Sequence, residues 1–322
     1  MRALPLIPLL LGGWLTVPAQ AASPADARVT NMFSRLAQAE RQQDFQGTFV
    51  YERNGIFSTH RIWHRVQDGK ITERLLQLDG LPQEVVRVDG QTQCVSGTLV
   101  AGVGNAPDSS GRLLDPLKLM SWYDIKIIGV TRVAGREVDV VALTPRDQHR
   151  YAFELHLDKE TGLPLKSLLL NDMSQLLERF QFTGLDIKAV PSEQDLQPSS
   201  NCKAVAKVSA QAAEALASWR SDWLPPGFEL VNSYVRKDPQ TKATVSSLMY
   251  DDGLARFSVF LEPLNGESVT DTRTQLGPTV AVSRHLTTPK GEIMVTVVGE
   301  IPIGTAERVA LSMRAQDPQS KN

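Results

Sequence analysis

The sequence predicts an α+β protein of two domains: a larger antiparallel sheet carrying helices, then a smaller α+β unit. Three observations carry this reading. Strand-like runs between Phe45 and Val95 are punctuated by Asn54-Gly55, Asp68-Gly69, Asp79-Gly80 and Asp89-Gly90. Such dipeptides are hairpin signals, because both turn positions take φ > 0 and so follow the strand twist. The stretch AVPSEQDLQPSS at 189–200 is rich in proline and serine with almost no apolar content, the composition of a linker. Beyond it a second set of helix and strand patterns begins. The 322 residues exceed one comfortable core, which also asks for two domains.

The opening MRALPLIPLLLGGWLTVPAQA has a basic start at Arg2, an apolar run through Leu15 and a small-x-small site at Ala19-Gln20-Ala21. It reads as a signal peptide over residues 1–21, too short and wrongly flanked to be an anchor. No cysteine follows the cleavage site, and no later run is long and apolar enough to span a bilayer, so an exported, soluble product is expected. The domains are then placed at 22–190 and 206–317, with the linker over 191–205. The formal charge of −2 becomes about −3 when Arg2 leaves with the signal, which makes no case for nucleic acid. Cys94 and Cys202 are the two cysteines. An exported chain can join them, and closing a loop of about a hundred residues is worth roughly 4–5 kcal/mol on the chain-entropy view. Two separate buried thiols are the other reading, since sequence alone does not bring them together.

Residues 26–43 place Val29, Met32, Phe33 and Leu36 at helical spacing and open the mature chain with an amphipathic helix. The strand pattern that follows contains HRIWH at 60–64. On a helix two histidines four apart could share a metal; on a strand they lie about 13 Å apart and cannot. In the strand reading His60, Ile62 and His64 face one way, Arg61, Trp63 and Arg65 the other. The glycine- and serine-rich AGVGNAPDSSGR at 101–112 lacks the third glycine of a dinucleotide fingerprint and any Gly-Lys-Ser/Thr, and reads as a surface loop. A short helix in LLDPLKLMSW leads to further strands as far as LLERFQFTGLDI. In RYAFELHLD, Tyr151, Phe153, Leu155 and Leu157 form an apolar face, leaving Glu154, His156 and Asp158 on a solvated one. The second domain starts with an alanine-rich helix in KAVAKVSAQAAEALASWR. Strands follow at FELVNSYVR, ATVSSLMYDD, RFSVFLEP, VAVSRHLTT and EIMVTVVGEI. A last helix, TAERVALSMRA, has Thr305 as its N-cap.

No GxSxG elbow, HExxH, paired CxxC or phosphate-binding fingerprint is present, and the aspartates fall mainly in turns, where they bond the backbone. Neither an enzyme, nor a metal site, nor a cofactor is expected. The first sheet instead has two partly apolar faces, for example Phe49 and Tyr51 against Val50, and Phe57 and Trp63 against Ile62. Either the sheet is covered on both sides, or one side is a concave apolar surface able to take an acyl chain.

QGTFVYER, HRIWHRVQDG, ERLLQLDG with PQEVVR, the Cys94 after it and LDKETGLPLKSLLL together resemble the RseB/MucB family of periplasmic sigma-factor regulators, nearest its MucB members. WLPPGF at 223–228 and YDDGLARFSVFLEP at 250–263 resemble the same family's second domain. The resemblance spans nearly the whole mature chain in order. It implies a LolA-like antiparallel β half-barrel with helices in its mouth, plus a smaller C-terminal domain. It implies a periplasmic negative regulator of the envelope-stress and alginate response, which binds the periplasmic part of a transmembrane, MucA-like anti-sigma factor and shields it from regulated proteolysis. Lipid or lipopolysaccharide fragments would release the complex; a homo-oligomer is compatible with this, and a lipid carrier without regulatory role is the alternative. From residue type on strands, Phe49, Tyr51, Ile62, Trp63, Leu75, Trp122 and Phe153 are the candidate lining of the lipid cavity. Trp219, Trp223, Phe228 and Tyr250 are candidates for contacts with the partner or between domains.

Overall fold

The computed structural model describes residues 24–97, 116–205, 219–237, 244–264, 266, 269–289 and 291–315. The signal peptide, the 101–112 loop and most of the alanine-rich helix expected over 203–220 lie outside the described residues.

Helix α1 (Pro24–Gln42) leads into strands β1 (Phe45–Arg53), β2 (Ile56–Gln67), β3 (Lys70–Gln77), β4 (Glu84–Val88) and β5 (Gln91–Val95). After α2 (Pro116–Trp122) come β6 (Tyr123–Val133), β7 (Arg136–Pro145), β8 (Ala152–Asp158), β9 (Pro164–Leu170) and β10 (Leu176–Asp186), then α3 (Glu193–Leu196) and β11 (Lys203–Ala204). These strands form one open antiparallel sheet of eleven, ordered β11-β5-β4-β3-β2-β1-β10-β9-β8-β7-β6. Three of the four expected hairpin signals take the geometry assigned to them, since Asn54, Asp68 and Asp89 and the glycines after them all have positive φ; at Asp79-Gly80 only the glycine does, within a longer connection from Gln77 to Glu84. It is the half-barrel with helices in its mouth.

Cross-strand register defines one continuous inner face. Val141 stands opposite Leu155, which neighbours Ser167; beyond it Phe180 and Phe182 face Tyr51 and Phe49, and Ile62 faces Leu75. The apolar stripe of α1 lies on this face, where Val29, Met32, Phe33 and Leu36 pack with Leu119 of α2 and with Tyr123, Val141, Leu143, Leu155 and Leu157. Arg35 anchors the helix by donating to the carbonyl oxygens of Lys159 and Glu160 at 2.7 and 2.9 Å.

The outer face does not follow the solvated expectation. His156 is buried and its Nε2 lies 2.8 Å from Glu154. Asp158 is equally buried and accepts from Arg136 Nε at 2.5 Å. Alternation of polar and apolar residues marked the two faces correctly, but the polar residues on this one close over each other instead of meeting water.

The stretch read as a linker is structured through residue 205. A capping box between Ser192 and Asp195 opens α3, and Leu196 is buried. Arg65 donates to the Pro191 carbonyl at 3.3 Å, and β11 adds to the sheet edge beside β5. Cys94 and Cys202 are joined across 108 positions, with Cα atoms 5.4 Å apart. Underneath, Glu84 is only 1 % exposed, held by Arg74 Nε at 2.6 Å and by the Ser199 amide and hydroxyl. Residues 191–204 thus form a strap across the outer face of β2 to β5.

The second domain is a six-stranded antiparallel sheet, β13 (Glu229–Lys237), β14 (Thr244–Asp251), β15 (Arg256–Pro263), β18 (Gly291–Gly299), β17 (Thr279–Thr288) and β16 (Thr272–Leu276), in that spatial order. Helix α4 (Ile303–Ser312) covers it through Ala306, Val309 and Ala310, which pack on Val259, Val295 and Val297. A short ladder of β12 (Trp219–Ser221) with β19 (Met313–Ala315) completes the unit. The expected N-cap is corrected: Pro302 occupies that place without a side-chain cap, and Thr305 is buried inside the first turn. The helix also ends sooner than its apolar pattern suggests, because Met313 leaves it to pair with Ser221.

Candidate functional site

Two features stand out: an aromatic group on the inner face of the large sheet, and the seam between the two domains. The aromatic group is built by β1, β2 and β10. Phe49 packs on Phe180 and Phe182 at centroid distances of 4.7 and 5.9 Å and stacks on His60 at 5.1 Å. Tyr51, Ile62 and Leu75 are partly buried against the same cluster. The two histidines of HRIWH belong here as ring-stacking residues: His64 lies parallel to Phe45 at 4.6 Å with Nδ1 3.0 Å from Glu73, and His60 meets Ser58 at 2.8 Å. Burial pushes the His60 imidazole below its ordinary pKa, because the charged ring is disfavoured away from water.

Four of the seven candidate lining residues, Phe49, Tyr51, Ile62 and Leu75, are therefore brought together. The other three are not. Phe153 shares the inner face but lies under α1 and α2, edge-on to Tyr123 at 6.4 Å. Trp63 is corrected to the outer face, opposite Arg74, where the guanidinium groups of Arg61 and Arg74 lie 4.9 and 5.1 Å from its ring. The period of two requires this, since Ile62 and Trp63 are successive strand residues. Trp122 is corrected to the seam, where Gly227 lies against its indole.

The seam centres on Arg150, whose side chain is fully buried between the domains. Its Nη1 donates to Asp252 Oδ2 at 2.9 Å, its Nη2 donates to the Pro226 carbonyl and lies 3.1 Å from Asp147. The guanidinium also sits 5.2 to 5.7 Å from the rings of Trp122, Tyr123 and Phe228. Asp252 accepts the amides of Leu254 and Ala255 at 2.9 and 2.7 Å, so YDDGLARF is an aspartate-turn that presents a carboxylate to the other domain. Burial pushes the Asp252 carboxyl above its ordinary range, against the pull of those amides and of Arg150. Such a pair is costly to desolvate and costly to break, so it specifies one docking geometry.

Around this pin, His149 Nδ1 lies 3.1 Å from Thr305 Oγ1 and its ring meets Trp223 edge-on at 5.0 Å. Tyr151 donates to the Ile301 carbonyl at 3.2 Å, and Arg53 donates to Glu300 at 2.6 Å. Of the second-domain aromatics, Trp223 and Phe228 reach the seam, whereas Tyr250 is a core residue stacked on Phe257 at 5.1 Å. Trp219 packs on that same core from β12. A cavity of about 450 Å³ opens beside the seam between Asp251, Leu254, Arg256, Phe257, Thr279 and Glu300. Arg150 was missed by sequence reasoning. Its one signal was position, a second arginine immediately before an apolar strand in RDQHRYAF, and nothing local distinguishes that from a solvated turn.

Comparison with known proteins covers both domains. The family described as MucB/RseB N-terminal domain matches residues 28–200, and the MucB/RseB C-terminal domain matches residues 213–314. The chain is 58% identical over 322 residues to the sigma factor AlgU regulatory protein MucB of Pseudomonas aeruginosa, covering 100% of both. It is 29% identical over 319 residues to the sigma-E factor regulatory protein RseB of Escherichia coli K12, covering 95% of this chain and 96% of that one. A crystal structure of MucB in complex with MucA(peri) superimposes with a TM-score of 0.77 at 59% identity, over 90% of this chain and 99% of that chain. Another structure, described as the crystal structure of MucB, gives 0.69 at 56% identity, over 90% of this chain and 98% of that chain. With both domains matched in order along its length, the chain belongs to the MucB/RseB family of sigma-factor regulatory proteins.

Proposed function

We propose that this chain is a non-enzymatic periplasmic regulator. It binds the periplasmic part of a transmembrane anti-sigma factor, shields that part from proteolysis and so keeps the sigma factor off. The observation that carries this reading is the 58% identity over the full length to the MucB of Pseudomonas aeruginosa, together with the likeness to the complex structure of Pseudomonas aeruginosa MucA/MucB. Both domains take part in the likeness, so it covers the whole two-domain chain and not the larger domain alone. No helix among the described residues is long and apolar enough to cross a membrane, which suits a chain that meets a membrane protein from outside the bilayer.

Release by lipid or a lipopolysaccharide fragment is part of the proposal. It rests on the half-buried apolar side chains of Tyr51, Ile62, Leu75 and Phe180 around Phe49. A ligand releases a partner only if it binds the free form more tightly than the bound one, and a ten-fold release requires about 1.4 kcal/mol of difference. The test is titration of the purified protein with the periplasmic segment of its own anti-sigma factor, followed by a protease challenge of that segment with and without lipopolysaccharide fragments. Tight binding, protection, and loss of both on adding the fragments are expected. Lipid binding without partner binding would instead make the protein a carrier.

A further inference from the structure

The aromatic group and the seam are joined by one chain of polar contacts. Tyr51 lies at the edge of the aromatic group, its ring 6.4 Å from His60 and its backbone opposite Phe180. Its hydroxyl donates to Glu178 Oε2 at 2.6 Å. The same oxygen accepts Arg53 Nε at 3.2 Å and lies 3.0 Å from Arg53 Nη2. Arg53 Nη2 then reaches Glu300 Oε1 of the second domain at 2.6 Å. Gly277 of the β16–β17 turn, at φ +59, seats on the Arg53 side chain so closely that a Cβ there would lie 2.9 Å from Arg53 Cγ. The chain therefore runs from an apolar surface to a domain contact through three side chains.

We infer that Tyr51, Glu178 and Arg53 form a relay by which occupancy of the apolar face changes the grip on the second domain; this rests on the lipid-release reading above. The direction follows from charge. Two carboxylates, Glu178 and Glu300, share one guanidinium, and the Tyr51 hydroxyl satisfies part of the charge on Glu178. An acyl chain laid among Phe49, Ile62, Leu75 and Phe180 displaces the Tyr51 ring, which removes that hydroxyl. Glu178 then draws Arg53 more strongly, and Arg53–Glu300 weakens. Charge-assisted hydrogen bonds of this kind are the strong ones in a half-buried setting, so their redistribution is a sizeable signal.

The experiment measures one ratio: the dissociation constant for the periplasmic segment of the anti-sigma factor with monomeric dihexanoylphosphatidylcholine as probe, divided by the constant without it. It is measured in the wild-type protein, in Tyr51→Phe, which keeps the ring, and in Glu300→Gln, which keeps the shape. A wild-type ratio of about ten, the 1.4 kcal/mol step above, is expected to fall below about three in both variants, with the probe's own affinity within about two-fold. Residues with a merely structural role would lower stability and leave the ratio alone. A wild-type ratio that persists in both variants overturns the relay and leaves lipid release standing; a wild-type ratio of one overturns both.

Discussion

The strap and the seam are both buried, charged and remote in sequence, yet they are built in opposite ways. Under the strap, Glu84 has Arg74 and two donors from Ser199, and the segment is then locked by the Cys94–Cys202 bond. At the seam Arg150 and Asp252 are both fully buried, no covalent bond joins the domains among the described residues, and Arg150 Nε has no hydrogen-bond partner there. A disulfide-closed loop persists whatever happens around it, whereas non-covalent contacts between domains, costly as each is to break, can be exchanged for contacts with a partner or ligand. The difference suits the strap to a fixed frame and the seam to a joint that can adjust.

The largest effect is expected at the fixed frame. Cys94→Ser with Cys202→Ser should lower unfolding free energy by about 4.7 kcal/mol, the chain-entropy value for a loop of about a hundred residues. Denaturant unfolding monitored at the Trp63 indole, which lies beneath the strap, would show it; loss below about 1 kcal/mol would mean that the hydrogen bonds alone hold the strap. Arg150→Ala comes next. It leaves Asp252 buried without its cation, at about 3–5 kcal/mol, and should separate the two domains into distinct unfolding steps where the wild type shows one. Retention of a single step would remove the pin from its assigned role.

Gly227→Ala is a smaller probe of the same joint. Gly227 has φ +85 and an added methyl would overlap the Trp122 indole, so a cost of about 1–3 kcal/mol is expected from overpacking and left-handed backbone strain. Its effect should fall on domain docking and spare the strap, which amide exchange in β4 and β5 would report. The smallest effect is that of pH. Burial lowers the pKa of His149 at the seam, where Arg308 and Arg150 add to the effect and Asp147 opposes it; burial likewise lowers that of His156 in the sheet. Their folded pKa values lie below the ordinary 6.5, so the unfolded chain binds more protons as pH falls through that value. Stability from these groups is thus complete above pH 6.5 and declines below it. His149→Gln should flatten the decline at the seam, read from melting temperatures between pH 7 and pH 5.

The large sheet and its first helix were largely legible in the sequence. Asn54-Gly55, Asp68-Gly69 and Asp89-Gly90 encode their turns locally, and Val29, Met32, Phe33 and Leu36 encode the buried stripe of α1. The joint was not. Phe49, Ile62 and Leu75 could be grouped because strand parity and residue type are local facts, but Trp63 shows the limit of residue type once parity is set aside. Trp122 and Arg150 acquire their roles from Gly227, Phe228 and Asp252, about a hundred residues away in the chain, and no local pattern announces such a partner. Residues 191–204 have a linker's composition, yet Ser192, Asp195, Ser199 and Cys202 each find a specific contact; composition reported polarity and missed pairing.

The most direct measurement is amide hydrogen exchange of the wild-type protein, free and with the periplasmic segment of the anti-sigma factor, each with and without lipopolysaccharide fragments. The expected result is protection by the partner, and deprotection by the fragments, at residues 147–151, 223–228, 250–257 and 299–301, with β4, β5 and 191–204 unchanged throughout. Changes confined to the strap, or a seam indifferent to both ligands, would contradict the assignment of the seam as the joint on which regulation turns.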